Sequence, residues 1–75
     1  MDQYRNLDGE SGVTAYESGP DYIKVRFRNG VTYVYDYVTP GAEHVERMKA
    51  LAHAGQGLST YISRHVRKAF ARREG

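Results

Sequence analysis

From Val13 the apolar residues recur first at every second position and later at every third or fourth, and the change falls near Thr39-Pro40. A period of two predicts strands with one buried face, and a period near 3.6 predicts amphipathic helices. Val13 to Ser18 reads as a short strand and Gly19-Pro20-Asp21 as a turn. Tyr22 to Arg28 alternates strictly, with Ile23, Val25 and Phe27 between Lys24, Arg26 and Arg28. Asn29-Gly30 then turns the chain into a third strand over 31–38. Thr39-Pro40 has the order of a hydroxyl N-cap followed by proline at the first helical position. The first helix is expected to run to about His53, with Val45, Met48, Leu51 and Ala52 on one side. Ala54-Gly55-Gln56-Gly57 supplies its stop. Leu58, Tyr61, Ile62, His65, Val66, Ala69 and Phe70 follow the i, i+3, i+4, i+7 rule, which predicts a second helix.

The fold class that follows is α+β: a three-stranded antiparallel β-meander followed by two α-helices packed on one sheet face, in a single domain over 13–70. Residues 1–12 follow neither period and are expected to be a flexible lead-in, and 71–75 a basic tail that frays.

The stretch Asn29-Gly30-Val31-Thr32-Tyr33-Val34-Tyr35-Asp36 allows two hairpin registers, and the choice decides which way the tyrosines face. In a two-residue turn Arg28 sits opposite Val31. Tyr33 and Tyr35 then join Arg26 and Lys24 on an aromatic, cationic platform, while Asp36 is driven against the helices, where an unpaired carboxylate is costly. In a three-residue loop with Gly30 left-handed, Val25 faces Tyr33 and Ile23 faces Tyr35, and Asp36 turns to solvent. Segregation of apolar from polar side chains is cleaner in the second register. It predicts that the tyrosine rings wall the core and that Lys24, Arg26 and Arg28 line an open, cationic sheet face.

The 75 residues contain no cysteine, so neither disulfides nor thiolate metal sites hold the fold. No apolar run approaches the roughly 20 residues of a membrane span, and Met1-Asp2-Gln3-Tyr4-Arg5 lacks the pattern of a signal peptide. A cytoplasmic protein with no membrane association is the expectation. The net charge of +2 conceals a gradient: residues 1–21 carry one Arg against five acids, and residues 58–75 carry five Lys or Arg against one acid. This asymmetry points to an anionic partner for the C-terminal end, or to an acidic segment lying beside it.

Three candidate sites follow. At the start of the second helix, Gly55-Gln56-Gly57 with Ser59 and Thr60 could aim backbone N–H groups and hydroxyls at a phosphate, or could form a plain helix-to-helix turn. Arg64, Lys68 and Arg72 lie four apart, flanked by Arg67, a spacing that could follow a nucleic-acid backbone or a solvated helix face. Lys24 and Arg26 on the sheet face could contact phosphate or protect strands against aggregation. Tyr61 or Tyr22 is the ring expected to stack on a base. His44, His53 and His65 form no i, i+4 pair and have no surrounding carboxylates, so no metal is expected. No nucleophile stands at a diagnostic spacing from a base, so neither catalysis nor a cofactor is expected.

The order Ile23-x-Val25-x-Phe27, Asn29-Gly30, Tyr33-x-Tyr35, Val38-x-Pro40, a helix, Gly55, and a helix holding Ile62 and Phe70 resembles the KTSC domain. That small domain is named for the C-terminus of some lysyl-tRNA synthetases and also occurs as a stand-alone bacterial protein. The resemblance covers about residues 13–70. The family commonly has Ser before the glycine of the break and a Gly-aromatic-Asn run into the second helix. Here the stretch is His53-Ala54-Gly55-Gln56-Gly57-Leu58-Ser59-Thr60. The resemblance implies RNA binding and no catalytic activity. The expected function is thus a non-catalytic module for a phosphate-bearing ligand, RNA or another nucleic acid first and a nucleotide second. The alternatives are a protein-docking module that uses the open sheet face and self-association as a homodimer through that face.

Overall fold

The structure is a computed structural model and describes residues 1–7 and 12–75. Among these residues five strands form one antiparallel sheet in chain order: β1 (Asp2–Gln3), β2 (Val13–Ser18), β3 (Tyr22–Phe27), β4 (Thr32–Asp36) and β5 (Arg72–Glu74). Between β4 and β5 lie helix α1 (Ala42–Ala54), the single turn α2 (Leu58–Tyr61), and a π-helical stretch over Ile62–Val66. The α+β class and the central meander agree with the sequence pattern, but the sheet has five strands rather than three. The two additional strands are two and three residues long and polar, too short to show a period.

The three-residue register is the one observed. Ile23 pairs with Tyr35 and Val25 with Tyr33, Gly30 adopts φ 88°, and the Gly30 N–H donates to the Phe27 carbonyl at 2.9 Å. In β2 the pairing shifts between Val13 and Ala15, so Val13 and Tyr16, three apart, both face the helices. Ile23, Val25 and Tyr35 pack there with Val45, Met48, Ala52, Leu58, Ile62 and Val66. Phe27, Tyr33 and Phe70 close one side of this core, with ring centroids 5.6 Å apart for Phe27–Tyr33 and 4.7 Å for Tyr33–Phe70. Tyr37, which strand alternation would put on the same face, lies past the end of β4. It is exposed, and its hydroxyl donates to Glu46 at 2.7 Å.

The first seven residues belong to the fold. β1 pairs with β2, Tyr4 is 3% exposed within the core, and the Leu7 N–H donates to the Gly55 carbonyl at 2.7 Å. The remainder of the expected lead-in is described only at Gly12. Thr39-Pro40 does not start the helix. The bond between them is cis, Asp36 Oδ1 accepts from the Val38 and Thr39 N–H groups, and α1 begins at Ala42 after Gly41. The other end of α1 follows expectation, with Gly55 left-handed at φ 78° and its N–H on the Leu51 and Ala52 carbonyls. No helix among the described residues is long and apolar enough to cross a membrane.

The second helix ends at Val66, earlier than its period suggests. The Ala69 N–H turns back to the Val66 carbonyl at 2.6 Å, and the Ala71 N–H reaches the Val34 carbonyl at 2.7 Å. Residues 72–74 then continue along the open edge of β4, whose backbone groups need partners. The expected frayed tail is therefore an edge strand.

Candidate nucleic-acid interface

The predicted contact residues fall on two sides of the sheet. Lys24 and Arg26 project from the face away from the helices, and cross-strand pairing puts Glu17, Thr32, Val34, Asp36, Arg72 and Glu74 there as well. Within the strands Lys24, Arg26 and Arg72 are thus matched in number by Glu17, Asp36 and Glu74, and Arg28 lies past the end of β3, so the face is not the cationic surface expected. Glu17 and Asp36 already balance Lys24 and Arg26, and β5 adds Arg72 together with Glu74. The Glu74 carboxylate accepts from Lys24 Nζ at 3.3 Å and from Arg72 Nε at 3.0 Å, and these two partners hold its carboxyl below the usual glutamate range, Arg72 first. Long side chains on either side, Lys24 and Arg72 about Val34 and Arg26 and Glu74 about Thr32, leave both inner residues buried on an otherwise open face. A shallow cavity of about 350 Å³ lies beside them, lined by Asp21, Tyr22, Lys24, Val34, Asp36 and Arg72.

The expected stripe of Arg64, Lys68 and Arg72 is split, because only Arg64 lies in the helical stretch while Lys68 follows its end and Arg72 lies in β5. What remains at the helical end is Arg64, Arg67 and Lys68, all exposed and without an ion-pair partner among the described residues. This run of cations begins within and continues past the only π-helical segment among the described residues, a form that recurs at functional sites.

Gly57, Ser59 and Thr60 do not form an open cradle. Gly57 is left-handed at φ 83° and its carbonyl accepts from the Tyr61 N–H. The Leu58 N–H, one of those a phosphate would need, donates to the Tyr4 hydroxyl at 3.3 Å. The Arg5 side chain crosses the same turn so closely that a Cβ on Gly55 would stand 2.8 Å from the Arg5 Cβ. The turn is held from the N-terminal side, an arrangement hidden in sequence because 54 residues separate Tyr4 from Leu58.

Neither candidate stacking tyrosine has a free ring. Tyr22 is half-buried, lies where Gly19 would carry a Cβ, and donates its hydroxyl to Glu17 at 2.7 Å, the main reason its own ionisation is pushed up. Tyr61 is half-buried against the core, with its hydroxyl 2.6 Å from His44 Nδ1. Close to it lies the ring of the exposed His65, with centroids 4.6 Å apart and planes tilted by 38°. His44 and His65, 21 positions apart and read separately in the sequence, come to 6.4 Å between ring centroids. Of this trio only the Tyr61–His65 spacing of four was visible beforehand. Among the described residues no group of three or more histidines and carboxylates is placed to hold a metal.

No protein-family model, curated protein or solved structure matches the chain. The functional reading therefore rests on the chemistry of its own surface.

Proposed function

We propose that this chain is a non-catalytic module that binds nucleic acid, RNA in the first instance, through the end of its helical layer. The observation that carries the reading is the exposed trio Arg64, Arg67 and Lys68, uncompensated among the described residues and next to the Tyr61–His65 ring pair. Free cations attract phosphates by releasing condensed counterions, and a neighbouring ring adds contact with a base. Lys24 and Arg26 become secondary contacts in this reading, since Glu74 already engages Lys24. The KTSC resemblance points the same way, and membership of that family is part of the proposal. The chain needs no cofactor in this role.

The test is a fluorescence anisotropy titration of short RNA and DNA oligonucleotides, with nucleotides as competitors, at low salt. Three phosphate contacts on a single strand predict a slope of log K against log salt of about −2, which is roughly 20-fold in affinity between 50 and 200 mM. Replacing Arg64, Arg67 and Lys68 together by alanine should remove most of that slope. No binding at low salt would refute the proposal.

A second reading, a protein-docking module, is favoured by the balanced charges and cavity of the open sheet face. It predicts a partner that stays bound after nuclease treatment and in moderate salt.

A further inference from the structure

We infer that the ligand is single-stranded, and that an unpaired base stacks on the outer face of the His65 imidazole. This rests on the nucleic-acid reading above and narrows its substrate class. Tyr61 is fixed on its inner side by the core and at its hydroxyl by His44 Nδ1, 2.6 Å away. His65 lies against that fixed ring at 4.6 Å between centroids, with His44 a further neighbour at 6.4 Å. His65 is nevertheless exposed, so an aromatic ring is held in place by ring neighbours while the residue remains accessible from solvent. A ring held in this way has little side-chain freedom left to lose on binding.

The flanking residues decide what such a ring can meet. Arg64 precedes it, and Arg67 and Lys68 follow within three positions, all exposed. A base stacked on His65 would therefore have its own backbone among cations. Duplexes keep their base faces inside the stack and offer this ring nothing except at their ends, whereas single strands, loops and bulges can turn a base outward. The cations alone would serve both forms.

The experiment compares three probes of equal length at one salt concentration: a single-stranded RNA, the same strand with abasic positions, and a duplex. They are titrated into the wild-type chain, His65→Ala and His65→Phe. Stacking on one base corresponds to roughly 5- to 150-fold in affinity. The wild type should prefer the intact single strand over the abasic strand and the duplex by about that factor. His65→Ala should abolish the preference, and His65→Phe should retain it. Because His65 is exposed, neither variant removes a core contact. Equal binding of all three probes by the wild type, or a preference that survives in His65→Ala, would overturn the inference and leave the nucleic-acid reading standing. No binding of any probe would take both away.

Discussion

Replacing Tyr35 by phenylalanine tests the hairpin register from which the assignment of faces follows. Tyr35 stands opposite Ile23, is 1% exposed, and has its phenol pushed from 10.0 up to about 12, first by burial and second by the neighbouring Tyr33. A folded-state value above the unfolded one means that the contribution to stability is complete below pH 10. It then diminishes as the pH rises toward 12, because the unfolded chain loses the proton first. Between pH 10 and pH 12 the loss comes to roughly 3 kcal/mol, a large share of the stability of so small a domain. Alkaline titration followed by tyrosinate absorbance and by far-UV circular dichroism should show the Tyr35 ionisation only as the fold is lost. Tyr35→Phe should lack that late step and stay folded to higher pH. If the Tyr35 ring resonances titrated near pH 10 while the dichroism remained native, the ring would be facing water and the face assignment would fail.

Three further outcomes are expected. Tyr4→Phe removes only the hydroxyl that accepts from the Leu58 N–H and should cost about 1 kcal/mol, whereas Tyr4→Ala also empties a core position and should cost about 3 to 5 kcal/mol, both read by urea denaturation. Glu74→Gln frees Lys24 and Arg72 from their shared carboxylate. It should make the open sheet face net positive and strengthen nucleic-acid binding with a steeper salt dependence, measured by anisotropy at several salt concentrations. Gly55→Ala places a methyl group on a left-handed residue 2.8 Å from the Arg5 Cβ and should cost more than 1 kcal/mol, seen as a lowered Tm.

The inner face of the sheet was legible because Asp36 sits between Tyr35 and Tyr37, and only one register turns that carboxylate away from the helices. The break at Gly55 was legible because a left-handed C-cap favours glycine. Residues 72–74 were not, since Arg-Arg-Glu carries no apolar alternation and becomes a strand only because β4 leaves an edge to be filled. That strand takes Arg72 from the helical stripe and sets Glu74 against Lys24, while Glu17 and Asp36 are what balance Lys24 and Arg26 on the open face. Thr39-Pro40 misled because the Asp36 carboxylate captures the preceding N–H groups in a turn of its own. In the site, the exposed cations could be read directly, but the meeting of His44 with Tyr61 and His65 depends on how α1 packs on α2, which no local spacing encodes.

The most direct test of the account is an amide chemical-shift map of the chain titrated with a short single-stranded RNA at low salt. The account predicts perturbations concentrated at Tyr61 to Lys68 and at His44, with the amides of Lys24 and Arg26 little changed. Perturbations confined to the open face of β3 and β4, or none at all, would contradict it.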